Sequence, residues 1–213
     1  YLSLLNVSYS QWSRGDDVLL SDIVNDCDHV LLLISDSVID SFIREHDCLQ
    51  NKSCLHFSGS LVTELALGVH PLMTFGPELY TLAEYQEIPW VIEESSCTFQ
   101  SFFPMLSNPS FSISKDQKGY YHALCVLSNN FTTLLWKKCF DEMAQVFKIP
   151  KEYLLPIFNR TMRNIADDHE LALTGPLVRG DEVTVANNLN ALSNDAYQKI
   201  YQAFVQAYKE ENG

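Results

Sequence analysis

The stretch Asp28-His29-Val30-Leu31-Leu32-Leu33-Ile34 is a continuous apolar run of the length of one strand. A strand that is apolar on both faces is typical of the interior of a parallel sheet covered by helices on either side. Residues 17–25 before it and residues 37–44 after it each have the pattern of a short helix. The run therefore predicts a βαβ arrangement, in which parallel strands alternate with helices.

Further strand and helix patterns extend this prediction along the chain. Strands are predicted at residues 4–12, 53–57 and 90–92, and residues 61–67 form another short segment. From Gln117 onward the apolar spacing is helical, and helices are predicted over residues 120–147, 150–165, 182–192 and 194–208, the last capped by Ser193 or Asn194. The sequence thus predicts an α/β domain over residues 1–113 followed by an all-helical domain over residues 114–213.

Composition narrows the class of protein. The 213 residues are 46% hydrophobic, enough for a substantial core, and acidic residues outnumber basic ones 27 to 14. This excess of acids argues against a nucleic-acid or anionic-membrane surface, since both need clustered Lys and Arg. The six cysteines show no metal-binding spacing, and no apolar run reaches membrane-spanning length, so we expect a cytoplasmic protein with free thiols and no bound metal.

Small polar residues follow the predicted strands, at the sheet edge where parallel α/β folds bind ligands. They come in three pairs: Ser13 with Arg14, Ser35 with Asp36, and Ser58 with Gly59. An arginine after a second Rossmann strand would meet a ribose 2′-phosphate and favour NADP over NAD; an ordinary solvated arginine is the alternative. None of the eight glycines forms a GxGxxG turn. Either that turn precedes Tyr1, or the protein has no pyrophosphate cradle.

Histidines and one helix face supply candidate chemistry. His70 follows Gly68-Val69 near a strand end and could act as an acid or bind a carboxylate, whereas His56 lies inside a strand pattern and is predicted to be a core residue. Lys118, His122 and Asn129 lie along one face of the long helix, where a lysine can polarise a carbonyl or imine. The alternative is a solvated helix start followed by buried polar groups satisfied within a dimer.

The loop Leu173-Thr174-Gly175-Pro176-Leu177-Val178-Arg179-Gly180-Asp181 separates two helical patterns. Gly175 and Gly180 permit positive φ angles, and Asp181 is placed to cap the following helix. A rigid loop of this kind could present Thr174 and Arg179 to a ligand or to the other domain. It is equally explained as a structural corner with Arg179 in an internal ion pair.

With these residues assembled, the chain resembles a family of uncharacterised proteins that join a Rossmann-like NAD(P) domain to a helical domain like that of 6-phosphogluconate dehydrogenase. Ketopantoate reductase and pyrroline-5-carboxylate reductase are more distant relatives. The resemblance covers essentially the whole chain. It rests on His56-Phe57-Ser58-Gly59, His70-Pro71-Leu72 with Thr74-Phe75, Lys118 with Tyr121-His122 and Ser128-Asn129, and above all the Leu173–Asp181 loop with Thr184-Val185.

The resemblance implies an NADP-linked reductase that dimerises through its helical domain, with the active cleft between domains. It also implies that Ser13 and Arg14 hold the adenosine phosphate, that Ser35 and Asp36 line the cofactor, and that Ser58 and Gly59 approach the nicotinamide. Lys118 matches a lysine that related hydroxyacid dehydrogenases carry on the interdomain helix, whereas His122 stands where many of them have asparagine.

These observations lead to two hypotheses. The first is an NADP-dependent oxidoreductase, with NAD the less favoured cofactor, that passes a hydride to a small carbonyl or imine substrate. Lys118 or His122 would supply the proton, with Asn129 beside them and His70, Thr174 and Arg179 lining the cleft. The second is a non-catalytic dimeric binding or scaffold protein that retains the fold without the cofactor turn.

Overall fold

A computed structural model describes residues 1–213, which form two compact units, Tyr1–Trp136 and Lys137–Gly213. The first unit contains the sheet and the second is helical. The domain boundary predicted after residue 113 coincides with the end of the last strand. The division into domains at that point stays a prediction.

The first unit is built on a five-stranded sheet in the order β1-β2-β3-β4-β5. Its strands are β1 (His29–Leu32), β2 (Ser53–His56), β3 (Leu67–Pro71), β4 (Trp90–Glu93) and β5 (Ser110–Ile113). β1, β2 and β3 are parallel, β4 runs antiparallel to β3, and β5 is parallel to β4. The predicted α/β fold class is therefore confirmed. The antiparallel β4 differs from the expected parallel pattern. Residues 72–89 connect the last residue of β3, Pro71, to the first residue of β4, Trp90, and these two residues pair at the same end of the sheet.

Helices pack on both faces of this sheet, and the helices from the start of the chain to residue 145 surround or follow it. They are α1 (Leu20–Val24), α2 (Asp36–Glu45), α3 (Leu82–Glu87), α4 (Phe99–Phe102), α5 (Lys118–Cys125) and α6 (Thr132–Gln145), with 3-10 turns at Leu2–Leu5, Asp47–Leu49 and Lys115–Gln117. One apolar cluster packs α2 against Leu32 and Cys54, and a second surrounds Leu55, Val69 and Phe99. Since Cys54 and Leu55 are neighbours on one strand, the two clusters lie on opposite faces of the sheet.

The strand predicted over residues 4–12 is absent, and that prediction was wrong. The chain instead forms the 3-10 turn Leu2–Leu5 and then has no regular structure up to α1. Its backbone hydrogen bonds are local, such as Leu4 N–H to the Tyr1 carbonyl and Val7 N–H to the Leu2 carbonyl. Apolar composition alone does not make a strand, because a strand also needs a neighbour that completes its hydrogen-bond ladder. Of the short segment noted at residues 61–67, only Leu67 belongs to a strand, as the first residue of β3.

The long helix predicted over residues 120–147 is confirmed, with one local change. Between α5 and α6 the turn widens into a π-helical segment, Val126–Phe131. Within it Ser128 Oγ donates to the carbonyls of Leu124 and Cys125, at 2.9 and 3.3 Å. Such single π-helical turns are frequent at functional sites.

The second unit contains a 3-10 turn, Lys151–Leu154, followed by α7 (Leu155–Asp167), α8 (Glu182–Ala191) and α9 (Tyr197–Asn212). Gly175 and Gly180 have φ angles of 103° and 64°, as predicted. Asp181 caps α8 by accepting a hydrogen bond from Thr184 N–H at 3.0 Å. The cap predicted for the last helix was wrong: α9 begins at Tyr197, whose N–H donates to Asp195 at 2.8 Å. The extra turn at residues 192–195 moves the helix start past Ser193 and Asn194.

No helix in either unit combines the length and the apolar character needed to cross a membrane.

Candidate active site

The ends of β1 and β2 bring four of the predicted cofactor residues together. Ser35 and Asp36 open α2 directly after β1, and Ser58 and Gly59 follow β2. Ser58 Oγ donates to Asp36 Oδ2 at 2.5 Å and accepts the N–H groups of Ser60 and Leu61, at 3.2 and 2.9 Å. One hydroxyl thus ties the β2 loop, residues 57–61, to the start of α2.

The other predicted cofactor pair lies elsewhere. Ser13 and Arg14 occupy an exposed turn, in which Ser13 N–H donates to Asp16 Oδ2 at 2.5 Å. Because residues 4–12 form no strand, these two residues do not stand at a strand end, which was the reason for predicting a phosphate contact. Their assignment to the adenosine phosphate stays a prediction without that structural basis.

A row of paired residues crosses the middle of the sheet. Leu32 pairs with His56, and His56 with Gly68; since Val69 pairs with Ile92, Glu93 lies next to Gly68 in the same row. Side chains within one row point to one face of the sheet, so His56 and Glu93 flank Gly68 on that face. Their exposed fractions are 0% and 1%, which makes this row a buried polar layer beneath the strand ends.

Lys118 enters that layer from the first turn of α5. Its side chain is 3% exposed, and Nζ donates to Glu93 Oε1 at 2.5 Å and to the Leu61 carbonyl at 2.5 Å. A β-carbon on Gly68 would overlap Nζ and lie 2.6 Å from Glu93 Oε1. Only a glycine leaves room for the ammonium at this place, so the sheet residue and the helix residue are matched in size.

One helical turn later, His122 reaches the β2 loop. A β-carbon on Gly59 would lie 3.0 Å from His122 Nε2 and 3.1 Å from His70 Nε2. Two imidazole nitrogens therefore converge on the residue that follows Ser58. The other ring nitrogen of His70, Nδ1, is hydrogen-bonded to the Tyr121 hydroxyl at 2.7 Å, which orients the ring.

Burial sets the protonation of these groups. It lowers the pKa of His70 to about 4, with His122 and Lys118 adding to the effect, so His70 is neutral at neutral pH. Burial, followed by Lys118, also lowers the pKa of His56 to about 4. The pKa of Lys118 is lowered by burial against the opposing pull of Glu93, and that of Tyr121 is raised by burial. At neutral pH the His70 imidazole is therefore neutral and the Tyr121 phenol is protonated.

The remaining candidates belong to other elements. Asn129 is exposed in the π-helical segment, where its amide meets Asn130 Oδ1 at 3.5 Å. Thr174 and Arg179 are exposed residues of the loop in the second unit. Their predicted roles at the cleft stay predictions.

Sequence reasoning missed Gly68 and Glu93. Glu93 follows the apolar Trp90-Val91-Ile92 without a break, and an acid that extends a buried strand by one residue needs a partner. Gly68 lies two residues before His70 in the same strand, where a glycine indicates that another group approaches closely. Both signals were present in the sequence. Neither could name Lys118 as the group concerned.

Comparison with known proteins adds family and fold. A family model described as "Domain of unknown function (DUF2520)" matches residues 92–208. No curated protein matches the chain in sequence.

Solved structures with the same fold are two-domain proteins. A provisionally named NADP oxidoreductase of Bacteroides fragilis is 23% identical, with a TM-score of 0.70 over 86% of this chain and 75% of that one. An imine reductase of Myxococcus stipitatus in complex with NADP+ is 13% identical, with a TM-score of 0.57 over 89% and 76%. A pyrroline carboxylate reductase of Plasmodium falciparum with NADP bound is 12% identical, with a TM-score of 0.55 over 95% and 84%. These likenesses confirm the Rossmann-like α/β fold with a helical domain.

Proposed function

We propose, from the premise that this chain belongs to the DUF2520 family, that it is a nicotinamide-dinucleotide-dependent reductase of small carbonyl or imine compounds. The observation that carries the proposal is the convergence of His70 Nε2 and His122 Nε2 on Gly59, at the end of β2. In open α/β sheets ligands bind beyond the carboxyl ends of the strands, and this is such an end.

The residues at this edge fit the nicotinamide side of a dinucleotide. The Gly59 N–H donates no hydrogen bond within the chain, and its neighbour Ser58 is fully engaged in holding the loop. A rigid loop with an unused backbone donor suits the carboxamide of a nicotinamide. Ser35 and Asp36, on the adjacent strand end, would line the same cofactor.

When bound, the cofactor would supply the hydride, and the chain would supply orientation and the proton. His122 is partly exposed beside Gly59, so we assign it the proton that the reduced carbonyl oxygen or imine nitrogen takes up. His70, neutral and oriented by Tyr121, would hydrogen-bond the reacting group. Lys118 was the other candidate donor, but its ammonium is buried on Glu93 and cannot reach a ligand at Gly59 without leaving that pair.

NADP is the cofactor that we propose in preference to NAD. Of the three structural neighbours above, one is named an NADP oxidoreductase and two have NADP bound. In this chain Arg14 is the candidate for the 2′-phosphate. Its place in an exposed turn makes its substitution a test of the preference that leaves the sheet edge intact.

The experiment is calorimetric titration of the protein with NADPH and with NADH. Tight binding of NADPH, weakened by Arg14→Ala, supports both the cofactor and the preference; equal binding of NADH removes the preference. Binding of neither cofactor favours the non-catalytic scaffold.

Turnover then tests the chemistry. NADPH oxidation is followed with a small cyclic imine and with a small ketone as probes. We expect His122→Ala to abolish most of the rate with whichever probe reacts, by about a hundredfold or more. His169→Ala, at an exposed histidine of the second unit, is the matched control. If His122→Ala turns over normally, the assignment of the proton fails.

The homodimer, with the helical residues 114–213 as its interface, is part of the proposal, as is the cytoplasmic location. Sedimentation of the purified protein tests the dimer directly. A monomer that binds NADPH would contradict it.

A further inference from the structure

The buried pair Glu93–Lys118 has no place in the proposed proton transfer, yet it is the most deeply buried ion pair of the chain. Its two side chains are 1% and 3% exposed, whereas the nearby pair Lys115–Glu64 is 34% and 86% exposed. A buried ion pair offers little net stability, because desolvation offsets its attraction. Its position therefore calls for another explanation.

The spacing of strand and helix supplies one. Gly68 and His70 are two residues apart on one face of β3, about 6.6 Å along the strand. Lys118 and His122 are four residues apart on one face of α5, about 6 Å along the helix. Lys118 lies against Gly68, and His122 lies opposite His70. The two spacings match, so fixing the first contact fixes the second.

We infer that Glu93 is a positioning residue for His122, acting through Lys118. The Glu93 carboxylate holds the Lys118 ammonium next to Gly68. This contact fixes the position of the first turn of α5 along β3. His122, one turn later, is thereby placed with Nε2 at the Gly59 loop. The inference rests on the proposed function for its catalytic consequence, but the placement of His122 is a property of the chain alone.

The Leu61 carbonyl completes the arrangement. It accepts the second hydrogen bond of Lys118 Nζ, and Leu61 N–H is in turn held by Ser58 Oγ. The ammonium thus joins β4, the β2 loop and α5 at one point. Loss of the charge on Glu93 would leave the ammonium buried beside a neutral group, and the helix end would shift to let it reach solvent.

Glu93→Gln tests the inference, with Glu64→Gln as the matched control, since it removes the same charge from the exposed partner of Lys115. The first readout is the nuclear Overhauser contact between the His122 ring and the α-hydrogens of Gly59 in the protein without cofactor. We expect Glu93→Gln to lose this contact and Glu64→Gln to keep it. A Glu93→Gln protein that keeps the contact overturns the inference.

The second readout is turnover. We expect Glu93→Gln to lower kcat by about tenfold to a hundredfold while KM for NADPH stays unchanged, because Ser58 Oγ still ties the β2 loop to Asp36 and to the Leu61 N–H. Unchanged kcat overturns the role in catalysis. If Glu93→Gln does not fold, the double variant Glu93→Leu with Lys118→Met removes both charges and leaves none unpaired. It too must lose the His122–Gly59 contact, and retention of the contact overturns the inference.

The two readouts separate this inference from the proposed function. A wild-type protein that binds no NADPH contradicts the proposed function, while the Overhauser contact and its loss in Glu93→Gln still support the positioning of His122. If the wild-type protein binds NADPH and turns over, but the His122–Gly59 contact is unchanged in Glu93→Gln, only the positioning role of Glu93 is contradicted.

Discussion

His70 Nδ1 and the Tyr121 hydroxyl are hydrogen-bonded at 2.7 Å, across 51 residues of sequence, with their rings edge to face at 5.6 Å. A residue of β3 and a residue of α5 thus hold each other in place at the candidate active site. His70 presents Nε2 to the Gly59 loop because its other nitrogen is occupied. The hydrogen bond also favours one tautomer of the imidazole ring.

Tyr121→Phe removes this partner, and the orientation of the His70 ring is then no longer set by a hydrogen bond. We expect turnover to fall by about tenfold, with NADPH affinity unchanged and a stability loss of about 1 kcal/mol. Nitrogen-15 spectra of the histidine rings report the change at His70 directly. Tyr120→Phe, at the exposed neighbouring tyrosine, is the control and should alter neither spectrum nor rate. Identical His70 spectra in wild type and Tyr121→Phe would contradict this account.

Gly68→Ala places a methyl group where Lys118 Nζ and Glu93 lie. We expect it to lower the free energy of unfolding by about 1–3 kcal/mol, because the overlap displaces a buried ion pair. Gly119→Ala is the control, since a β-carbon there would meet no atom within 4 Å beyond its chain neighbours and the backbone of its own helix, and alanine favours a helix. Urea unfolding measures both. A Gly68→Ala protein as stable as Gly119→Ala would show that the ammonium has room to move.

Acid should destabilise the first unit through His56. Its Nδ1 accepts the Ser58 N–H at 3.3 Å, so protonation there breaks a buried hydrogen bond. The folded pKa is about 4 against 6.5 for the free side chain, so the unfolded chain binds more protons between these values and stability rises with pH there. The contribution is complete above about pH 6.5 and is lost as the pH falls towards 4. His70, whose pKa is lowered in the same way, adds to the slope.

Unfolding free energies measured between pH 4 and pH 7 test this. We expect His56→Asn, whose carbonyl can still accept the Ser58 N–H, to have a shallower slope, by on the order of 2 kcal/mol across the range. His169→Asn, at an exposed position, should follow the wild type. Equal slopes in all three proteins would exclude His56 as the source of the acid sensitivity.

Ser58→Ala removes three hydrogen bonds of the hydroxyl: the one that it donates to Asp36 and the two that it accepts from backbone N–H groups. The β2 loop then loses its connection to Asp36. We expect a stability loss of about 1–3 kcal/mol and weaker binding of NADPH, since the Gly59 backbone is no longer held. Ser60→Ala changes an exposed serine in the same loop and is the control. Unfolding by urea and calorimetric titration give the two readouts. Normal NADPH binding by Ser58→Ala would place the cofactor away from this loop.

The α/β fold class, the run at β1 and the long helix from Lys118 follow from sequence, because hydrophobic period and strand length are local properties. The same holds for the Asp181 cap and the positive φ angles of Gly175 and Gly180, which depend on a few neighbouring residues. The strand predicted over residues 4–12 failed because pairing with a neighbour is not a local property. The antiparallel direction of β4 was not predicted, for the same reason.

The candidate site divides in the same way. Periodicity alone places Lys118 and His122 on one helix face, and the end of an apolar run singles out Ser58 and Gly59. Only the tertiary structure decides that Lys118 is buried on Glu93 while His122 stands at Gly59 beside His70. That decision depends on which strand lies against α5 and in what register, and both are set by packing between segments far apart in the chain. A sequence determines which side chains share a face; the fold determines what that face meets.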